Sequence, residues 1–199
     1  MRDIRDLDDK QYANIMNLSR ELPVLGEGAE GTCVLGVDGY AYKIYDGICD
    51  YEYDIDDIIM EDEFNLKSFA FPNLLYIHDG ELCAYRMRLV YPNLFDLFTD
   101  YHIDEDGLLQ AIDKFITDLR VVSDKGILTF ELPFNLLFTG KRLVGIDTPS
   151  YKRKNYNTFN ENLDILDYAL DAQYDLLSDY RKDIKKPNYS KKILTYKKK

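Results

Sequence analysis

The sequence predicts an α+β protein with a bilobal plan. Short apolar runs separated by turn residues fill most of residues 24–90 and predict β-hairpins. Apolar residues at helical spacing then extend over Asp104–Lys125 and again over Phe159–Tyr180. The order is therefore β-rich hairpins with one helix, followed by a helical half that carries small hairpins, which is typical of an α+β arrangement.

The predicted elements of the first half begin with a helix or partial helix over residues 4–22, where apolar residues recur among polar ones. A glycine-rich hairpin follows, and its next strand runs from Tyr40 to Tyr45 after an Asp-Gly turn. Helical spacing from Ile55 to Phe69 predicts a second helix within an acidic stretch. Leu74–Ile77 and Glu81–Val90 then predict two strands around another Asp-Gly turn.

The second half starts with the most regular pattern of the chain, the apolar face of Asp104–Lys125, which ends at a glycine suited to a helix C-cap. A final helix is predicted over about Phe159–Tyr180. Three short strands are predicted between these helices: Ile127–Leu128, Leu136–Phe138 and Leu143–Ile146.

Length and composition limit the protein class. A chain of 199 residues accommodates one domain or two small lobes with a core. It has no apolar run of about 18 residues and no charged-then-apolar leader, so neither a transmembrane helix nor a standard secretion signal is expected. Cys33, Cys49 and Cys83 are odd in number and lack metal-like spacing, which favours a reducing cytoplasm. With only His78 and His102, a histidine-based metal site or triad is not expected.

Charge is distributed unevenly along the chain. Residues 181–199 contain nine Lys or Arg against a single acid, Asp183, whereas residues 1–180 contain 16 basic and 35 acidic side chains. Such an acidic body repels nucleic-acid backbones, so nucleic acid is an unlikely partner except through the basic tail. A solvated, partly disordered terminus is the simpler expectation for the tail.

The glycine cluster LGEGAEGTCVLGVDGYAYKIYD (Leu25–Asp46) is consistent with three kinds of phosphate loop. A dinucleotide-binding loop must open a helix, but β-branched and apolar residues follow Gly31. A P-loop needs Gly-Lys-Ser/Thr, and no lysine follows Gly31 directly. The third kind is a strand–loop–strand hairpin with a lysine on the next strand, and Lys43 is in that position.

Motifs in a fixed order extend this third interpretation. Gly26, Gly28 and Gly31 precede Ala41-Tyr42-Lys43. Four further segments follow: EDEFNLKSFAFPNLLY (Glu61–Tyr76), AYRMRLVYPNLFDLF (Ala84–Phe98), SDKGILTFELPFNLLF (Ser123–Phe138) and RLVGIDTPSY (Arg142–Tyr151). In this order and spacing, over Leu25 to Tyr180, the chain resembles the protein-kinase-like fold. The resemblance implies a β-rich N-lobe over residues 1–88, a reduced helical C-lobe over residues 89–180, and the basic tail over residues 181–199.

The resemblance also implies an ATP site in the first half. The backbone N–H groups of Gly28–Gly31 would cover the phosphates, because glycine permits a close approach. Lys43 would hold the α- and β-phosphates as a point charge. A lysine on a half-buried strand needs a carboxylate partner. Counting back from the Pro-Asn turn favours Asp62, whereas side-chain length and the neighbouring apolar residues favour Glu63, which we select.

A Mg²⁺ site is expected in the second half. Asp147 is an acid at the end of an apolar strand, and a metal ion would explain its position. Asn135 lies twelve residues earlier, on the other strand of the same predicted hairpin, and is the matching second ligand. Oxygen ligands of this kind suit Mg²⁺ that bridges nucleotide phosphates. The alternative is that both are turn or cap residues.

The sequence departs from the family pattern at the catalytic loop. Thr129–Asn135 lacks the expected histidine and arginine, carries Glu131 in place of the catalytic aspartate, and is one residue short. Asp-Thr-Pro stands where Asp-Phe-Gly is expected, and about 50 residues follow. Glu131 remains a candidate acceptor of a hydroxyl proton. Displacement of such a group by about 1 Å costs on the order of 10²-fold in rate.

Two functions from different classes follow. The first is a compact kinase-like phosphotransferase that uses ATP and Mg²⁺ on a small molecule or an atypical protein substrate. The second is a non-catalytic pseudokinase that binds nucleotide or a partner protein. A third, less favoured interpretation is a fold unrelated to kinases in which the basic tail is the functional part.

Overall fold

The computed structural model describes residues 3–47, 53–90, 105–180 and 188–197. The chain is a mixed α+β protein, as predicted, and it divides into two compact units. The first unit comprises Met1–Asn65 and Ala70–Leu89, and the second comprises Leu66–Phe69 and Val90–Lys199. The predicted lobes over residues 1–88 and 89–180 stay a prediction.

A six-stranded mixed sheet forms most of the first unit. Its strands are β1 (Ile4–Asp6), β2 (Val24–Gly28), β3 (Gly31–Leu35), β4 (Tyr40–Tyr45), β5 (Pro72–His78) and β6 (Glu81–Arg88). They are arranged in the order β1-β5-β6-β4-β3-β2, and only the β1–β5 pair is parallel. The predicted hairpins β3–β4 and β5–β6 are confirmed, whereas the strand β1 falls where the sequence predicted a helix.

Helix α1 (Asp9–Glu21) covers one face of this sheet. It starts in a capping box, in which the Asp8 carboxylate accepts a hydrogen bond from the Gln11 N–H at 2.8 Å. Apolar side chains of this segment pack on a buried cluster drawn from β3, β4, β5 and β6. They are Leu7, Tyr12, Ile15, Met16, Leu18 and Leu22.

The helix predicted from Ile55 to Phe69 is not formed. The Asp54 carboxylate accepts a hydrogen bond from the Asp56 N–H at 3.0 Å, and this closes a turn. Aspartate side chains that bind nearby backbone groups compete with helix formation. Residues 58–60 are all buried, although one helix face cannot bury three consecutive side chains. A single 3₁₀ turn, Glu61–Glu63, is the only helical part of this segment in the described residues.

Among the described residues, the second unit contains the α-helices α2 (Glu105–Asp124), α3 (Phe159–Tyr180) and α4 (Tyr189–Lys197). The first two have the predicted bounds to within a residue over the described range. Their apolar faces are fully buried at positions spaced by three and four, including Leu108, Ile112, Phe115 and Leu119 on α2. None of the helices in the described ranges has the length and apolar character required to cross a membrane.

Short strands connect these helices. The hairpin β8 (Leu136–Phe138) and β9 (Leu143–Gly145) was predicted, except that β9 ends one residue early. Strand β7 (Ile127–Leu128), which was predicted, pairs antiparallel with β10 (Lys152–Arg153). The strand β10 was not predicted.

The basic tail is structured where it is described. The expectation of a solvated terminus is wrong for residues 188–197, because Tyr189 and Ile193 of α4 are buried. Lys192 forms an ion pair with Asp113 of α2 at 2.7 Å, and Lys197 forms one with Asp164 of α3. These tail lysines therefore neutralise acids of the same unit.

Gly31 provides a test of the sheet geometry. Its φ is +152°, and a Cβ atom there would collide with the Ile44 carbonyl oxygen and lie 2.8 Å from the Tyr45 Cα. We expect Gly31→Ala to lower the free energy of unfolding by about 2–4 kcal/mol, through backbone strain and overpacking. Gly26→Ala is the matched control, because nothing lies within 4 Å of its Cβ position. Equal urea midpoints for the two variants would contradict this geometry.

Candidate functional site

The glycine hairpin places its turn over the Lys43 side chain. Strands β2 and β3 pair from Val24 to Gly31 and leave Ala29-Glu30 as a two-residue turn. A Cβ atom on Gly28 would lie 3.6 Å from the Lys43 Nζ. The ammonium group therefore lies directly beneath the glycine turn, within one structural unit.

Strand β4 positions Lys43 in the interior of the sheet. Lys43 is directly opposite Cys33 on β3 and Tyr85 on β6, so these three side chains share one face. Alternation along β4 turns Ile44 to the other face, which α1 covers. Lys43 is half-buried, as its position between two neighbouring strands requires.

The acids predicted to pair with Lys43 lie on the 3₁₀ turn rather than on an α-helix. The Glu63 carboxylate accepts a hydrogen bond from the Met60 N–H at 3.1 Å and thereby caps its own turn. Glu61 accepts one from the Asn73 side chain at 3.2 Å, which attaches the turn to β5. The pairing of Lys43 with Glu63, or with its neighbour Asp62, stays a prediction.

In the second unit, Glu131 and Asn135 bracket a 3₁₀ turn, Leu132–Phe134. The proline at its second position favours this tight conformation. The Asn135 Nδ2 donates a hydrogen bond to the Glu131 carbonyl oxygen at 3.2 Å, which links the two ends of the turn. The predicted base and the predicted ligand are thus neighbours.

The β8–β9 hairpin brings Asn135 beside Asp147. The Ile146 N–H donates to the Asn135 carbonyl oxygen at 2.8 Å, and Asp147 is the next residue. Asp147 has φ +55° and ψ 43°, a left-handed conformation that aspartate tolerates better than most residues. Uncommon backbone conformations of this type cluster at functional sites.

A buried amide fixes the start of the Glu131 segment. Asn162 on α3 is fully buried, and its Oδ1 accepts hydrogen bonds from the Thr129 N–H at 2.9 Å and the Thr129 hydroxyl at 3.1 Å. Its Nδ2 lies 2.8 Å from both the Ser123 Oγ and the Ile127 carbonyl oxygen. The Asn162 side chain therefore connects α3 to α2 and β7, and it also holds Thr129, which lies two residues before Glu131.

Tyr151 also belongs to this site, although nothing in the sequence distinguishes it from an ordinary buried tyrosine. It is 3% exposed, and burial raises the pKa of its phenol far above the usual range. The negative charges of Asp147 and then Glu131 raise this pKa further. Both carboxylates therefore lie close enough to Tyr151 to act on it through their charge.

Two side chains of the second unit carry oxygen atoms of the kind that Mg²⁺ takes as ligands. Asp147 supplies a carboxylate, and the Asn135 amide, whose nitrogen is directed to Glu131, supplies an oxygen. Within the described ranges, no three His, Cys, Asp or Glu side chains form a metal-binding group. Mg²⁺ does not require such a group when nucleotide phosphates complete its coordination.

The structure gathers the predicted residues into two sets. In the first unit Gly26, Gly28 and Gly31 share the β2–β3 hairpin, and Gly28 is the one beside the Lys43 ammonium; in the second, the backbone brings Glu131, Asn135 and Asp147 together. No family model matches this sequence, and a search of curated proteins finds no match. Function is therefore inferred from these residues and their geometry.

The Asn162 amide yields a stability prediction. Asn162→Ala leaves the buried Thr129 N–H without its acceptor, so we expect a loss of about 3 kcal/mol in the free energy of unfolding. Asn160→Ala, at an exposed position two residues earlier on the same helix, should change it by less than about 0.5 kcal/mol. Chemical denaturation of both variants measures this difference, and similar losses would show that the amide network does not stabilise the unit.

Proposed function

We propose that this protein binds ATP with Mg²⁺ and is a compact kinase-like phosphotransferase. In this proposal it transfers the γ-phosphoryl group to a hydroxyl of a small molecule or an atypical protein substrate.

The observation that carries the proposal is the position of the Lys43 ammonium beneath Gly28. A glycine turn offers backbone N–H groups to anions, and the absence of a side chain permits the phosphates to approach closely. A fixed ammonium beneath that turn adds a positive charge at the same place. This combination supports recognition of a polyphosphate.

The order of the strands gives further support. Lys43 lies on the strand that follows the glycine hairpin and pairs with it, which is the arrangement that the resemblance to kinases implies. The strand β4 pairs on its other side with β6, and in the sequence β6 directly precedes the residues that resemble the kinase hinge.

In the second unit, the nearness of Asp147 to Asn135 along the hairpin backbone supports the metal-binding part of the proposal. Asp147 and Asn135 would hold Mg²⁺, which supplies positive charge to the β- and γ-phosphates when bound. Asp147 follows the β8–β9 hairpin directly, so the hairpin fixes where its backbone lies relative to Asn135.

The remaining chemistry requires one proton acceptor. As the acceptor oxygen bonds to the γ-phosphorus, the bond from that phosphorus to the β-γ bridging oxygen breaks and ADP leaves. The acceptor hydroxyl releases its proton to the Glu131 carboxylate. Positioning and charge neutralisation provide most of the catalysis in such reactions.

The alternative is a pseudokinase that binds nucleotide without transferring phosphate. Two features favour it. Glu131 is longer than the aspartate expected there, in a loop that is one residue short. In addition, the segment that should present a glutamate to Lys43 contains a 3₁₀ turn in place of a long helix.

Nucleotide binding is tested by thermal unfolding with ATP, with and without Mg²⁺. We expect ATP with Mg²⁺ at about 100 times Kd to stabilise the protein by about 2.7 kcal/mol, because a ligand that binds only the native state stabilises it by mass action. Lys43→Met should abolish most of this gain. Lys10→Met, on the exposed part of α1, should retain it.

An absent shift at millimolar ATP would contradict nucleotide binding and leave partner binding as the function. An equal shift in wild type and Lys43→Met would show that ATP binds elsewhere.

The substitution Glu131→Gln distinguishes the phosphotransferase hypothesis from the pseudokinase hypothesis. The amide cannot accept a proton, so we expect unchanged ATP affinity and a turnover lower by about 10²–10⁴-fold, measured as γ-phosphate release. The hydrogen bond from Asn135 involves the Glu131 backbone carbonyl and is retained in the variant.

If Glu131 only braces its loop, the same substitution should instead lower stability by about 1–2 kcal/mol and leave turnover unchanged. Wild-type protein that binds ATP with Mg²⁺ and shows no turnover would establish the pseudokinase function.

A further inference from the structure

Tyr151 has a buried hydroxyl that fold stability does not explain. The side chain is 3% exposed, and within the described residues its Oη has no hydrogen-bond partner. Buried polar groups are almost always paired, because desolvation without a hydrogen bond is costly. An unpaired one at a proposed active site therefore calls for a functional explanation.

The surroundings of Tyr151 hold the hydroxyl in place. The ring packs edge-on against Phe69, with 6.2 Å between ring centroids. The Oη lies over Gly145, where a Cβ atom would be only 2.7 Å away from it. The absence of a side chain at Gly145 thus provides the space that the Tyr151 hydroxyl occupies. Gly145 lies two residues before Asp147 in the sequence.

The charges near this hydroxyl are negative. The carboxylates of Asp147 and Glu131 both act on the phenol, and Asp147 has the larger effect. A phenol keeps its proton at neutral pH, so the Tyr151 hydroxyl is available as a hydrogen-bond donor.

We infer that Tyr151 is a positioning residue for the Mg²⁺ site, and that its hydroxyl donates to the Asp147 carboxylate when the metal and nucleotide are bound. One carboxylate oxygen would then face the ion and the other would accept from the phenol. This inference rests on the proposed ATP–Mg²⁺ function.

Asp147 is a better acceptor than Glu131 on chemical grounds. Groups that hydrogen-bond to a metal ligand fix its orientation, and their loss typically weakens metal binding by about 10–100-fold. Glu131 in contrast must accept the proton of the reaction, and a donor bound to it would make it a weaker base. A donor on Asp147 leaves Glu131 to act as the base.

The test is a Mg²⁺ titration of ATP-dependent stabilisation for wild type and Tyr151→Phe. The half-saturating Mg²⁺ concentration should rise about 10–100-fold in the variant, while ATP affinity without Mg²⁺ stays the same. Without ligand, the variant should unfold at the same temperature as wild type or higher, because it loses an unpaired buried hydroxyl.

Ser68→Ala is the matched control. Ser68 is also fully buried in the second unit, and within the described residues its hydroxyl has no hydrogen-bond partner. This variant should leave the Mg²⁺ titration unchanged. The acceptor is identified by double variants: Tyr151→Phe should have no further effect in Asp147→Asn and its full effect in Glu131→Gln.

Three outcomes would overturn the inference. An unchanged Mg²⁺ midpoint in Tyr151→Phe overturns it while the ATP–Mg²⁺ function stands. A lower unfolding temperature of the ligand-free variant shows that the hydroxyl stabilises the fold instead. A wild-type protein whose ATP response does not depend on Mg²⁺ rejects the proposed metal site together with the role of Tyr151.

Discussion

The second unit depends on the burial of one carboxamide, Asn162. Its oxygen and nitrogen together satisfy groups from the end of α2, from β7 and from the segment that precedes Glu131. A buried amide with satisfied partners specifies one arrangement, because a shifted register would leave several polar groups unpaired. The position of Glu131 relative to the α2 and α3 helices is therefore set by hydrogen bonds as well as by apolar packing.

Helical periodicity predicted α2 and α3 well, because each buries one continuous apolar face. The same criterion failed for residues 55–69, where the spacing of isoleucines resembled a helix face. There, the Asp54 side chain binds the backbone of a turn, and three consecutive apolar residues are buried together. Periodicity depends only on which residues are apolar. It does not register that short polar side chains can bind the backbone and so compete with the hydrogen bonds of a helix.

The candidate site was predictable in part for a similar reason. Lys43 and Asp147 are charged residues within or beside apolar strands, so each required an explanation from sequence alone. Asn162 had a comparable signal, since it is a polar residue that lies one turn from Leu166 on the apolar side of α3. Its hydrogen-bond partners are distant in sequence, so the sequence alone could not identify them. Tyr151 had no such signal, because a tyrosine in an apolar context is ordinary until its hydroxyl is found without a partner.

The first unit has its two outermost strands, β1 and β2, consecutive in sequence, and α1 joins them across the sheet. Thirteen helical residues span about 20 Å, close to the width of about 24 Å for five strand spacings of about 4.8 Å. The helix α1 thus connects the two opposite edges of the sheet. The strand that precedes it, β1, is held in the sheet by pairing with β5, as in the pair Ile4 and Leu75, which are distant in sequence. Closing a contact this distant in sequence costs more chain entropy than forming a local hairpin, so we expect the β1–β5 pairing to form after the β5–β6 hairpin.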